Sequence, residues 1–185
     1  MQAQLNVLNG QVTPLKMKTI QNDFTSIKPK GGLWTSNYVP EIGSEWVQYS
    51  FKVGGPRVPD SDVWEGSLLY PNRTSRLYVI DRYQDLERLM HWFGVKNKLK
   101  NPSFYSPRLD YSIDFEKMSQ YYDGIHLTKR GQIRTQTSYP FNLDGWDVES
   151  TLWFRWVFDH VEEIHEVFYR KTSFVYYRMS LLPTS

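Results

Sequence analysis

Two carboxylates, Asp147 and Glu149, stand two positions apart in the stretch WDVESTLWF, between Trp146 and Trp153. Strict alternation predicts a strand there, with Trp146, Val148, Ser150, Leu152 and Phe154 on one side and Asp147, Glu149, Thr151 and Trp153 on the other. Both acids then share a face. Such a pair either lines a pocket, where a fixed carboxylate holds a ribose hydroxyl or faces a developing cation, or decorates a solvent-facing edge strand. Glu149 falls in the most apolar stretch of the chain, where a buried carboxylate must be satisfied by a partner.

A second set of chemistry-bearing residues comes early, in KPKGGLWTS from Lys28 to Ser36. Gly31 and Gly32 permit positive φ and close backbone approach, and the amides of such a turn bind phosphate. An ordinary tight turn uses the same residues. Trp34 offers a ring for stacking, and Thr35 and Ser36 offer hydroxyls for a sugar.

Several other chemistries lack their residues. There is no Walker A loop, G-x-G-x-x-G, H-E-x-x-H or G-x-S-x-G in the chain. His91, His126, His160 and His165 include no i, i+4 pair, which argues against a histidine metal site. A metal-dependent nuclease built on Asp123, Asp147 and Glu149 is a further reading.

These residues need elements to position them. LNVLN near the start reads as a short strand, LWTSNY as an extended segment, and EIGSEWVQYSFKV as a helix capped by Ser44. Residues 54–62 read as loop. SRLYVID reads as a strand running into a helix from Arg82 to Phe93, with Asp81 and Gln84 as a capping box. Leu86, Leu89, Met90 and Phe93 form its inner stripe, and Gly94 ends it. FEKMSQYY predicts a short helix. DGIHLT predicts a strand that turns at Lys129–Gly131 into a returning strand, QIRTQT. From Phe154 to Arg170 the apolar residues Phe154, Val157, Val161, Ile164 and Phe168 fall at helical spacing, with Asp159, Glu162, Glu163 and Glu166 opposite. SFVYYRMSLL predicts a last strand. The sum is an α+β fold: a single domain, residues 1–185, with a curved, mostly antiparallel split sheet and a few flanking helices.

The chain has 185 residues, enough for one core. Its 22 basic and 20 acidic side chains give a formal charge of +2, too balanced for bulk attraction to nucleic acid or membrane. The 7 Trp, 13 Tyr and 10 Phe exceed what a core of this size demands, so some of them face a ligand or partner. The stretch KNKLKNPSFYSPR sets four basic residues beside Phe104 and Tyr105, a pattern suited either to a single strand of nucleic acid or to a solvated linker. Absence of cysteine excludes thiolate chemistry and Cys-ligated zinc. No signal-peptide pattern opens the chain and no run reaches the roughly 18 apolar residues of a membrane span, so the expected location is the cytoplasm of a host cell.

The order of a glycine turn plus LWTS, then IDRYQDL, YYDGIHLT and WDVESTLWF resembles the ADP-ribosyltransferase-like superfamily, in its small bacterial and phage forms. The likeness covers about Ile27 to Phe154. It implies an NAD-binding cleft in a split antiparallel sheet, with Trp34, Thr35 and Ser36 near the nicotinamide and Glu149 as the catalytic acid on its ribose. Asp147 would help choose the acceptor, Tyr122 would wall the nicotinamide, and Lys28 with Gly31 and Gly32 would hold the dinucleotide. Members carry an Arg or His on the first strand; residues 1–27 contain neither, leaving Lys28, Lys30 or Arg57 for that role. The implied acceptor is a protein or a nucleic acid, the implied setting a toxin or phage effector, with an antitoxin or inhibitor as a partner. The competing class is a non-enzymatic module that binds nucleic acid or protein through surface aromatics.

Overall fold

Hydrophobic segments scattered along the chain meet in one mixed sheet. The computed structural model describes residues 2–7, 12–23, 26, 28–53, 63–96 and 111–170. Its strands are β1 (Gln4–Asn6), β2 (Leu33–Asn37), β3 (Val63–Pro71), β4 (Leu77–Ile80), β5 (Gly94–Lys96), β6 (Tyr111–Ile113), β7 (Gly124–Leu127), β8 (Ser150–Trp153) and β9 (Phe158–Val167). The helices are α1 (Glu45–Val53), α2 (Tyr83–Phe93), α3 (Phe115–Met118) and α4 (Lys129–Thr135). Seven strands form one sheet in the order β4-β7-β8-β2-β1-β3-β9, and β5 pairs with β6 apart from it. Within the seven, only β4 and β7 run parallel. The fold is the expected α+β domain, mostly antiparallel.

Helix signals at two sites act as the sequence predicts. Ser44 Oγ accepts from the Val47 amide (3.3 Å) at the start of α1. Leu86, Leu89, Met90 and Phe93 are all buried beneath α2. Its cap is displaced by one residue from the expected box: Asp85, not Gln84, accepts from the Asp81 and Arg82 amides (3.1 and 2.9 Å). Asp81 is taken instead by Thr128, whose hydroxyl donates to it (2.7 Å), and by Arg130.

Three expectations are corrected. Residues 129–135 are helix α4, not the second arm of a hairpin, because Thr128 caps them: its Oγ1 accepts from the Gly131 amide at 2.9 Å. Residues 158–167 are strand β9, not helix, paired along nearly the whole of β3. The segment 146–149 is irregular, and β8 begins only at Ser150 and is buried on both faces. Asp147 and Glu149 therefore do not share a strand face. Strand β3, which the alternation rules did not reveal, joins β1 to β9. The expected loop at 54–62 with Arg57, the segment 97–108 with Phe104 and Tyr105, and the final strand lie outside the described residues. No helix among the described residues is long and apolar enough to cross a membrane.

Candidate functional site

β8 sits between β7 and β2, so the residue that enters it is flanked by both. That residue is Glu149, 5 % exposed. Ser36 Oγ, near the end of β2, donates to its Oε2 at 2.6 Å, and the Asn37 amide donates to the same oxygen at 3.1 Å. From β7, His126 Nδ1 stands 3.6 Å from Oε1 and shares a hydrogen bond with Thr151 Oγ1 (2.7 Å). Segments more than a hundred residues apart thus converge on one carboxyl group.

Burial dominates the electrostatics. It pushes the Glu149 carboxyl above the ordinary glutamate range, with the Ser36 and Asn37 hydrogen bonds pulling the other way. Burial also holds the His126 imidazole below its ordinary range, towards the neutral form. A buried acid with a raised pKa beside a neutral imidazole is an arrangement common at reactive sites.

The two residues before this acid, Asp147 and Val148, wall a cleft of about 830 Å³ together with Glu45 and Lys52 of α1 and Lys129 and Gln132 of α4, while Glu149 itself lies behind that wall. Lys129 Nζ meets Glu45 Oε2 at 2.7 Å and so links the two helices. Both charges act on Glu149, Glu45 raising its pKa and Lys129 lowering it. Asp147 is about one-third exposed and pairs with Lys28 Nζ at 3.9 Å. Lys28 also lies 5.7 Å over the Trp34 ring, which packs edge-on against Trp146 at 4.8 Å. Lys28, Trp34, Trp146 and Asp147 thus form one contact set and Ser36, Asn37 and Glu149 another, the two joined along β2 and the segment 146–149.

Other expected site residues are engaged elsewhere. Gly31 and Gly32 have φ of 75° and 67°, and a Cβ on either would strike the chain: Gly31 at 2.1 Å from the Thr19 carbonyl oxygen, Gly32 at 2.8 Å from that of Trp153. The Gly32 amide donates to the Lys18 carbonyl (2.9 Å). The pair packs main chain against main chain, which accounts for both glycines, and the Gly32 amide is already engaged. Thr35 is fully buried, donating to Gln4 Oε1 (2.8 Å) and accepting from Trp153 Nε1 (2.9 Å), so its hydroxyl is spent within the sheet. Lys30 pairs with Asp23. Tyr122 packs on Tyr78 and Phe93 in a different cleft. Asp123 is held by Arg76 and Arg155, and no group of three potential metal ligands occurs among the described residues, which removes the nuclease trio.

His126, Asn37, Glu45 and Lys129 were not legible as partners of Glu149. One signal was present: a histidine inside the apolar strand GIHL. No protein family, curated protein or solved structure matches this chain.

Proposed function

We propose that this protein transfers the ADP-ribosyl group of NAD to a protein or nucleic-acid acceptor, with Glu149 as the acid that acts on the ribose. The observation that carries the reading is the 2.6 Å bond from Ser36 to Glu149 beside a roomy polar cleft. It brings together the two segments that the family resemblance assigns to one site.

The cleft fits such a substrate. Its volume of about 830 Å³ lies within the span of small-ligand sites, and Lys52 and Arg170 on its wall supply positive charge for a pyrophosphate. Gly31, Gly32, Thr35 and Tyr122 have no part in it. Bound NAD supplies a glycosidic bond whose cleavage leaves positive charge on the ribose as nicotinamide departs. Glu149 acts as the ionised carboxylate, hydrogen-bonded to a ribose hydroxyl and opposing that charge. Because the acid is 5 % exposed, the ribose hydroxyl must exchange with Ser36 at the carboxylate. Asp147, at the cleft wall, orients the acceptor whose nucleophile forms the new bond to the ribose.

The test is Glu149→Gln, matched to wild type by circular dichroism and thermal midpoint. Loss of one preorganised group of this kind lowers turnover by about 10²-fold or more. NAD consumption by Glu149→Gln at the wild-type rate, or none by wild type with nucleic-acid and protein acceptors supplied, overturns the proposal.

A further inference from the structure

The second cleft has a composition of its own. It measures about 590 Å³ and is bounded by Tyr78 from β4, Arg88, Trp92 and Phe93 from α2, Lys117 from α3, and Tyr121 just beyond α3. Trp92 is 63 % exposed and Tyr121 55 % exposed. Exposure of two large rings at one concavity is costly in water unless something covers them.

Other aromatic rings pack beneath them. Phe93 is buried, with its ring centre 5.8 Å from that of Tyr121, while Tyr78 and Tyr122 meet edge-on with their centres 5.4 Å apart. Positive charge stands at the rim. Lys117 Nζ lies 5.6 Å over the Phe93 ring and donates to the Trp92 carbonyl, a neutral acceptor, and among the described residues it forms no ion pair. Arg88, 68 % exposed at its side chain, has Asp85 at 3.5 Å. Asp85 also lines the cleft, but its other oxygen is held by the Asp81 and Arg82 amides, and the 3.5 Å contact to the exposed guanidinium is a weak one that leaves Arg88 able to meet another anion.

We propose that this cleft binds single-stranded nucleic acid, with bases stacked on Trp92 and Tyr121 and phosphates held by Lys117 and Arg88. Rings offering their faces beside cations match a ligand that alternates flat bases with anionic groups. A duplex hides its base faces. An acidic peptide would use the cations and leave the rings idle, and an apolar helix would have to bury both charges. The site shares no residue with the Glu149 neighbourhood, so it stands or falls independently of the ADP-ribosyl reading.

The experiment is fluorescence anisotropy with short labelled oligothymidylate and oligouridylate, using the full chain at low salt. Wild type should bind saturably, and Trp92→Ala and Tyr121→Ala should each weaken binding about tenfold. Both side chains are more than half exposed, and thermal midpoints equal to wild type show that the variants are folded. Lys117→Gln and Arg88→Gln should each flatten the dependence of log affinity on log salt by about 0.7. Any of three results overturns the proposal: no saturation, a blunt duplex or polyglutamate competing as well as the single strand, or ring variants with unchanged affinity.

Discussion

At Glu149 two physical effects oppose each other, and their balance sets the charge of the site. Burial favours the neutral acid, while the Ser36 hydroxyl and the Asn37 amide favour the carboxylate. Removing Ser36 takes away the larger of the two hydrogen bonds that, with the Lys129 charge, favour the charged form. In Ser36→Ala the Glu149 carboxyl should therefore titrate at higher pH than in wild type, read from the side-chain carboxyl resonance of ¹³C-labelled protein. If NAD turnover needs the carboxylate, its acid limb should move upward with it. An unchanged or lower midpoint would mean that Ser36 merely fills space. Residue chemistry was half legible in the sequence for a related reason. A carboxylate among tryptophans demands partners, which pointed to Glu149, but nothing in the spacing distinguishes Ser36, which bonds to it, from Thr35, whose hydroxyl is consumed by Gln4 and Trp153.

At the scale of elements, α2 was legible because its stripe and its burial coincide. α4 was not, since KRG at positions 129–131 also suits a turn. What decides is docking: the Thr128 amide donates to the Ile80 carbonyl (3.0 Å), and Gly131 lies so close to β4 that a Cβ would sit 2.1 Å from that carbonyl oxygen. Alanine is the better helix former by about 1 kcal/mol, yet Gly131→Ala should destabilise the protein, because crowding of a packed interior costs about 1–3 kcal/mol. Urea unfolding with an unchanged slope and a lower midpoint is the expected result; equal or greater stability would refute close helix–strand packing as the role of this glycine. β9 misled for another reason. Glu162 and Glu166 face Leu68 and Trp64 across the β3 register, and their carboxylates accept from the hydroxyls of Tyr70 (3.1 Å) and Tyr38 (2.9 Å). Acids satisfied in this way mask the two-residue period, and burial together with Glu166 drives the Tyr38 phenol up to about 12.

At the scale of the whole molecule, no local pattern discloses that β7, β8 and β2 are neighbours, because that order is set by which apolar faces can be covered together. The order has a thermodynamic consequence, since it places two buried titrating groups 3.6 Å apart with opposite shifts. His126 is held below its ordinary 6.5, so the unfolded chain binds its proton more readily, and stability from this group is complete above that value and lost as the pH falls towards the folded pKa. Glu149 is raised above 4.5, so the folded chain binds its proton more readily, and stability from this group is present at low pH and lost as the pH rises through the folded pKa. Acidification from neutral pH thus draws the protein in both directions at once. Thermal midpoints measured between pH 7 and pH 5 should separate the two: Glu149→Gln should lose stability more steeply than wild type on acidification, and His126→Gln should lose less or gain. Profiles of the same slope in all three proteins would show that neither group is buried as the sheet order requires, and with that the convergence of β7, β8 and β2 on Glu149 would fail.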